Sequence, residues 1–362
     1  MYDMDRINAL LGLTNNATED DALDATVDFT DDDYPDEPVN IATEIPHTTT
    51  AYGHAMSRDR RHGGDTDIDR REVERYLSWC VDRVPLTLHT GEPVTTHVAN
   101  VRSDSRQVIG VVTAAFQTIQ NQELIELADA VRNDQQLKFC NAGVVAGGAR
   151  VFFQCRGDSF DIGDGDEVSP FMLFCNGHDG SLSCRMTPMT KRIWCQNQLG
   201  NIVKTHSAFA AIRHTGDTRY KLEEAKRLGR QYFTTMQANR EAMLAMRDTG
   251  VKTEDLQRFF HDCYSRQFGK VEFNAKTEAE ERAAERAKDG YAAYVKRFEN
   301  EKRIAGSTAW NMANAYTGWL QHDRGVGKIP QRTAQRRYES SLFGVTASRS
   351  VEAFRIALSL TS

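Results

Sequence analysis

Apolar residues along this chain follow two rhythms, one in each half. Between residues 84 and 192 they form short runs bounded by Gly, Pro, Asn or Asp: 84–89 (VPLTLH), 95–101 (TTHVANV), 108–116 (VIGVVTAAF), 137–145 (LKFCNAGVV) and 149–156 (ARVFFQCR). Runs of this length and punctuation predict strands. Gly147-Gly148 parts the last two and predicts a hairpin, because glycine accepts the positive φ of a tight turn. A further strand pair, 171–175 and 181–187, flanks the turn sequence Asn176-Gly177-His178-Asp179-Gly180. Two stretches in this half have helical spacing instead. IDRREVERYLSWCV (68–81) sets Ile68, Val73, Tyr76, Leu77 and Cys80 on one face, with Thr66 or Asp67 as the cap, and 122–131 repeats the spacing through Leu124, Ile125, Leu127 and Ala128.

From Asp217 onward the helical period takes over: 220–247, 253–268, 277–301, 309–323 and 349–360 all read as helices, and no fixed-period repeat points to a solenoid. The expected architecture is α+β, with a central, mostly antiparallel sheet and helices packed on one side in a core domain at 66–216, followed by a helical region at 217–362. Residues 1–65 stand apart. Their segment 15–40 (NNATEDDALDATVDFTDDDYPDEPVN) is acidic, poor in aliphatics and marked by proline, so residues 17–65 are expected to be a largely disordered arm.

Charge sharpens that division. Residues 1–50 hold 13 Asp and Glu against one Arg, a net −12 in a chain whose total is −6, which leaves +6 for the remainder. An acidic tail on a basic body is read either as a solubilising segment or as a nucleic-acid mimic that shields a basic groove. No run approaches the roughly 18 apolar residues of a membrane span, and the opening MYDMDRINALLGL lacks the pattern of a secretory signal, so the expected setting is the cytoplasm. Seven cysteines without a CxxC pair predict reduced core thiols rather than a disulfide framework or a zinc site.

Several separated motifs carry a family resemblance. They are YLSWCVDRVPLTL (76–88), VRSDSRQVIGVVTAAFQTIQNQE (101–123), VVAGGARVFFQC (144–155), FMLFCNGHDGSLSCRMTPMTKRIWCQNQL (171–199), AIRHTG (211–216), AGSTAWNMANAYTGWLQHDRG (305–325) and RRYESSLFG (336–344). In this order and over roughly residues 66–360 the chain resembles the phage/plasmid-like protein family known as domain of unknown function 932. Ala114-Ala115-Phe116 departs from the family pattern, in which a more polar residue precedes an aromatic, and that strand is given no role. The resemblance implies a mobile-element origin and supplies no reaction. The order of elements also resembles the sheet-and-helix core of single-strand annealing recombinases, which implies strand binding without nucleotide hydrolysis.

The residues themselves offer three candidate chemistries. The cationic series Arg150, Arg156, Arg185, Lys191, Arg192, Lys204 and Arg213 is interleaved with Phe152, Phe153, Trp194 and His214, supplying cations for phosphates and flat groups for bases. The plainer reading is arginines solvating the outer face of a sheet whose aromatics fill the core. His178 and Asp179 with His214 offer a metal or proton-relay set for a nuclease or hydrolase, against a plain turn stabilised by the Asp side chain. Arg213-His214-Thr215-Gly216 precedes a helix where Thr215 can cap and backbone N–H groups can hold a phosphate, which makes Arg213 the foremost phosphate contact.

Other features read as structural. Gln196 and Asn197 can cap a helix start or meet a base edge, and Cys195 has no spaced base to activate it. The acidic loop at 158–167 (DSFDIGDGDE) lacks the ligand alternation of a calcium loop, RGVGK (324–328) lacks phosphate-loop spacing, and Trp310, Tyr316, Trp319 and His322 have the spacing of core or subunit contacts. The resulting expectation is a DNA-binding protein, concretely an oligomeric single-strand annealing factor that captures DNA electrostatically and needs neither nucleotide nor metal. Its rivals are the metal-dependent hydrolase and an inhibitor that engages a host protein through the acidic arm.

Overall fold

The structure, a computed structural model, describes residues 67–192, 198–200, 210–229, 231–269, 277–324, 340–342 and 344–361. The acidic arm, Trp194, Cys195-Gln196-Asn197, Lys204 and the RGVGK glycines lie outside the described residues.

The chain enters through α1 (Arg70–Leu77), capped by Asp69, whose carboxylate accepts from Arg71 N, rather than by Thr66 or Asp67. The predicted helix is also shorter than its apolar pattern, because Val81 already pairs with Arg102 as the first residue of a strand. β1 (Val81–Thr87), β2 (Pro93–Arg102) and β3 (Val108–Thr113) form a three-stranded antiparallel sheet of their own, a division that alternation alone did not reveal. After α2 (Asn121–Gln135) comes the main sheet: β4 (Lys138–Val145), β5 (Arg150–Arg156), β6 (Phe160–Asp161), β7 (Glu167–Gly177), β8 (Cys184–Arg192), β9 (Gln198–Gly200) and β10 (Ala210–Ile212). Its main path runs β10-β8-β7-β5-β4, with β6 on β7 and β9 on β8, antiparallel throughout. The Gly-Gly hairpin is present: Gly147 and Gly148 sit at φ +68° and +110° between β4 and β5.

Five long helices follow: α3 (Thr218–Gly229), α4 (Tyr232–Asp248), α5 (Thr253–Phe268), α6 (Glu278–Ala305) and α7 (Ala309–Gly318), the last running into a π-helical turn at Trp319–Asp323. α8 (Val345–Leu358) closes the described chain. Among the described residues no helix is long and apolar enough to cross a membrane. The single helix read at 220–247 is two. Gly229 ends the first against α2, where a Cβ would lie 2.4 Å from a Val131 methyl.

Alternation along β5, β7 and β8 sends apolar side chains to both faces of the sheet. Val151, Phe153, Cys155, Met172, Phe174, Cys184 and Met186 join Val73 of α1, Leu124 and Val131 of α2, Leu222 and Ala225 of α3 and Tyr232 of α4 in one core. Phe152, Phe171, Leu173, Cys175 and Met189 form a second cluster, with Leu342, on the opposite face. The sheet is thus buried on two sides rather than one, and α3 belongs to its helical layer rather than to the C-terminal bundle. That bundle has its own core, in which Trp310, Tyr316 and Trp319 are buried with Phe259, Phe260 and Tyr294. Of the cysteines, Cys140, Cys155, Cys175, Cys184 and Cys263 are buried free thiols and Cys80 is an exposed one. Burial pushes the Cys155, Cys175 and Cys184 thiols up, which leaves them as packing groups rather than nucleophiles.

Candidate nucleic-acid interface at the β10–α3 corner

Strand register decides which of the predicted cations meet. Arg150 faces Gly177 and Arg185 faces Cys175, at one end of β7; Arg156 faces Phe171 and Lys191 faces Ser169, toward the other. Six residue steps along β5 separate Arg150 from Arg156, a span of roughly 20 Å. All four side chains belong to the face that carries Phe152, Leu173 and Met189, but the middle of that face is buried. The cations of the series that lie on this face therefore fall at two separate ends.

At the far end, Arg156 donates to Asp67 Oδ1 at 2.6 Å, and the same carboxylate holds Lys138 at 3.3 Å. Lys191 is half-buried. Its neighbour Arg192 turns to the opposite face and leaves the candidate set. Only 2% exposed, it donates from Nε to Asp166 Oδ1 at 2.7 Å and from Nη1 to Glu301, while Trp310 Nε1 donates to the second Asp166 oxygen at 2.9 Å. This is a buried ion cluster joining β8 to α6 and α7. Burial pushes the Glu301 carboxyl up against the pull of Arg192 and Arg297. Asp166, read from sequence only as part of an acidic loop, is the hub of the cluster.

The near end is where the chain leaves the sheet for α3. β10 pairs with β8 so that Ala211 lies opposite Arg185 and Ile212 opposite Cys184, which brings Arg213 to the rim beside Ser183 and Arg185. Arg185 Nε donates to Ser183 Oγ at 2.9 Å, and Arg213 is exposed. Arg150, on the next strand but one, donates to Ser181 Oγ at 3.1 Å and lies 3.9 Å from Asp179 Oδ2. The turn after Arg213 is anchored from below. His214 is buried, stacks on Phe116 at 4.3 Å, holds Gln117 O 2.9 Å from Nδ1, and accepts from Gln117 N through its own carbonyl at 2.6 Å. Gly216 takes φ +69°, and the cap of α3 is Asp217, whose Oδ1 accepts from Tyr220 N at 3.1 Å, in place of the expected Thr215. Thr215 instead offers its carbonyl to Lys221 Nζ at 2.6 Å. Lys221 thus lies on one fixed turn, with Arg213 at its start, Arg219 exposed in the first turn of α3 and Arg185 on the strand that pairs with β10. Arg219 and Lys221 lie inside a helical pattern and carry no signal of their own in the sequence; the pairing of β10 with β8 is what leads the chain from the Arg185 rim into α3.

The second candidate set resolves into structure. His178 is fully buried, and its Nε2 lies 3.0 Å from Asn121 Oδ1. Since Asn121 Nδ2 donates to Trp79 O at 2.9 Å, Oδ1 must accept and the His178 Nε2–H must donate. The ring meets Trp79 edge-on at 5.6 Å, and the His178 backbone takes Asn100 Nδ2 on its carbonyl at 2.6 Å while donating to Ala149 O at 2.7 Å. Burial first, and the neighbouring His214 second, push the His178 pKa down to about 3; burial also lowers that of His214. Asp179 points elsewhere, its Oδ1 accepting from Ser181 N at 2.9 Å and Ser181 Oγ at 2.6 Å in a closed turn. Adjacent residues thus face different surroundings, and no group of three or more His, Cys, Asp or Glu side chains among the described residues has the grouping of a metal site. The segment is a joint: it fastens the end of β7 to α2 and to the three-stranded sheet.

A family model described as domain of unknown function DUF932 matches residues 108–343, well over half of the chain. The chain belongs to that family. The match begins at β3 and ends just before α8, so it takes in the main sheet, the β10–α3 corner and the bundle through the π-helical turn. No curated protein matches the chain, and no solved structure does.

Proposed function

We propose that this member of the DUF932 family is a single-strand DNA-binding protein of phage or plasmid origin, acting in the cytoplasm of the host as an oligomeric annealing factor that uses neither nucleotide nor metal. The observation that carries the reading is a turn, fixed by His214 and Asp217, that is held by Lys221 and lies between exposed Arg213 and exposed Arg219, where the chain leaves the strand paired with Arg185. Cations set on a rigid frame at a sheet rim bind phosphates without sequence preference, and the resulting affinity falls with salt as counterions are released. A net charge of +6 outside the first 50 residues supports the same partner. In the proposed mechanism several copies align their corners along one strand, holding it by its backbone so that the bases stay available for pairing.

The test is a salt-titrated binding series of the full chain with single-stranded, double-stranded and complementary oligonucleotides. Affinity for single strands that declines linearly on a log–log salt plot, together with annealing that persists in chelator and without nucleotide, is the expected result. No binding at low salt would end the proposal and leave the arm-mediated inhibitor as the reading to pursue.

A further inference from the structure

The bulky apolar side chains that the described residues expose are few: Val108 and Val111 on the three-stranded sheet, Leu88 in the turn after β1, Leu360 near the C-terminus, and Tyr220. Tyr220 is the aromatic one, 72% exposed. Its backbone is fixed by the Asp217 cap, and its sequence neighbours are exposed Arg219 and half-buried Lys221, with the Lys221 ammonium held over the Thr215–Gly216 turn that leads back to Arg213. A tyrosine ring presents an apolar face on a side chain with little conformational freedom. Left in water it gains nothing; set among cations that draw a phosphate backbone, it has a base to meet.

We infer that Tyr220 is a base-stacking platform, so that the β10–α3 corner takes single strands in preference to duplex. The inference rests on the nucleic-acid reading above and adds to it the mode of recognition. Phosphates engaged by Arg213, Arg219 and Lys221 place the intervening base over the Tyr220 ring. A duplex keeps its bases stacked inside and offers the ring nothing. Stacking needs the ring and not the hydroxyl, and it is tolerant of sequence because every base has a π face.

The experiment compares the full chain with Tyr220→Ala, Tyr220→Phe and Arg213→Ala, each titrated with labelled oligo-dT and with a duplex of the same length over a salt series. Tyr220→Ala should weaken oligo-dT binding by about five-fold or more. Its duplex affinity and the salt slope should stay as in the parent, since every cation that meets a phosphate is still in place. Tyr220→Phe should bind like the parent, and an unchanged thermal midpoint in both confirms that an exposed side chain was altered without disturbing the fold. Parental oligo-dT affinity in Tyr220→Ala, while Arg213→Ala weakens binding, overturns the stacking platform and leaves the phosphate site standing. A parent that binds neither nucleic acid overturns both. Equal weakening of single-strand and duplex binding by Tyr220→Ala also overturns the inference, because it assigns the ring to the backbone rather than to bases.

Discussion

Arg192 Nε donates to Asp166 Oδ1 at 2.7 Å with both side chains closed off from water, so two opposite charges face each other at the end of β8 with Glu301 and Trp310 beside them. Pairs of this kind add little net stability compared with apolar residues of the same shape, but breaking one leaves its partner charged and dry. Arg192→Ala should therefore destabilise the chain by about 3–5 kcal/mol, measured by urea denaturation. Lys191→Ala, one residue away on the other face, should cost far less. An equal cost for the two would refute the division of this dipeptide between the two faces.

His178 makes stability depend on pH. In the unfolded chain its imidazole titrates near 6.5, whereas in the folded protein burial lowers that to about 3. Between those values the unfolded state carries a proton that the folded state lacks, so stability is complete above about pH 7 and declines as pH falls toward 3. The loss from this group alone should reach about 2 kcal/mol at pH 5, with His214 adding in the same direction. Denaturation midpoints measured from pH 7.5 to 4.5 in the parent and in His178→Gln test the assignment, and the variant should show the shallower decline. Identical slopes would mean that the acid sensitivity arises elsewhere.

The hairpin at Gly147-Gly148 depends on conformations that suit glycine, and it is also tightly seated. Arg102 Nη1 donates to Gly147 O at 3.0 Å while the Arg102 guanidinium stacks over Trp79 at 4.3 Å. A Cβ on Gly147 would come 2.7 Å from the Gln107 amide, and one on Gly148 would come 3.1 Å from the Trp79 ring. Valine at either position should destabilise by about 1–3 kcal/mol from backbone strain alone. Thermal melts of the two single variants read this out; full retention of stability would place the strain-bearing turn elsewhere.

What the sequence made legible was whatever depends on neighbours along the chain. The β4–β5 hairpin followed from Gly147-Gly148, α5 from its helical spacing between Thr253 and Phe268, and the turn role of Asp179 from the Asn-Gly and Asp-Gly steps. What stayed hidden depends on tertiary contact. Gly229 reads as a tolerable glycine inside one long helix until Val131 lies against it. Lys191 and Arg192 look alike until register sends the second toward Asp166. The candidate site was half legible: Arg185 and Arg213 stood out as cations near strand ends, whereas Tyr220 and its flanking Arg219 and Lys221 looked like ordinary positions of an amphipathic helix.

The arm should act through charge. Residues 1–50 bring a net −12 to a chain whose remainder is +6, so removing them reverses the sign of the molecule. Deleting them should tighten single-strand binding at low salt and change it little at high salt, where charges on separate segments are screened beyond about a Debye length. The thermal midpoint should barely move. Affinity that is unchanged at every salt concentration would leave the arm a solubility tail; a lost cooperative transition would make it part of the fold.

Location of the phosphate site is the most discriminating prediction, because register divides the cations into two ends. If the β10–α3 corner is the site, Arg185→Ala and Arg213→Ala should each weaken single-strand binding and flatten the log-affinity against log-salt slope by about 0.7 for every phosphate no longer neutralised. Arg156→Ala and Lys191→Ala should leave both affinity and slope near the parent value, since Arg156 is held by Asp67 and both lie toward the opposite end of the strands. Arg192→Ala is unsuitable as a binding probe, because the unfolding it favours would itself weaken binding. Should Arg156→Ala and Lys191→Ala flatten the slope while Arg185→Ala and Arg213→Ala do not, the strand runs along the other end of the sheet and the corner is structural. Weakening by all four would restore a single track across the face. That outcome would require the buried middle around Phe152 and Leu173 to open when DNA binds, and protection of those strands from hydrogen exchange would then have to fall in the complex.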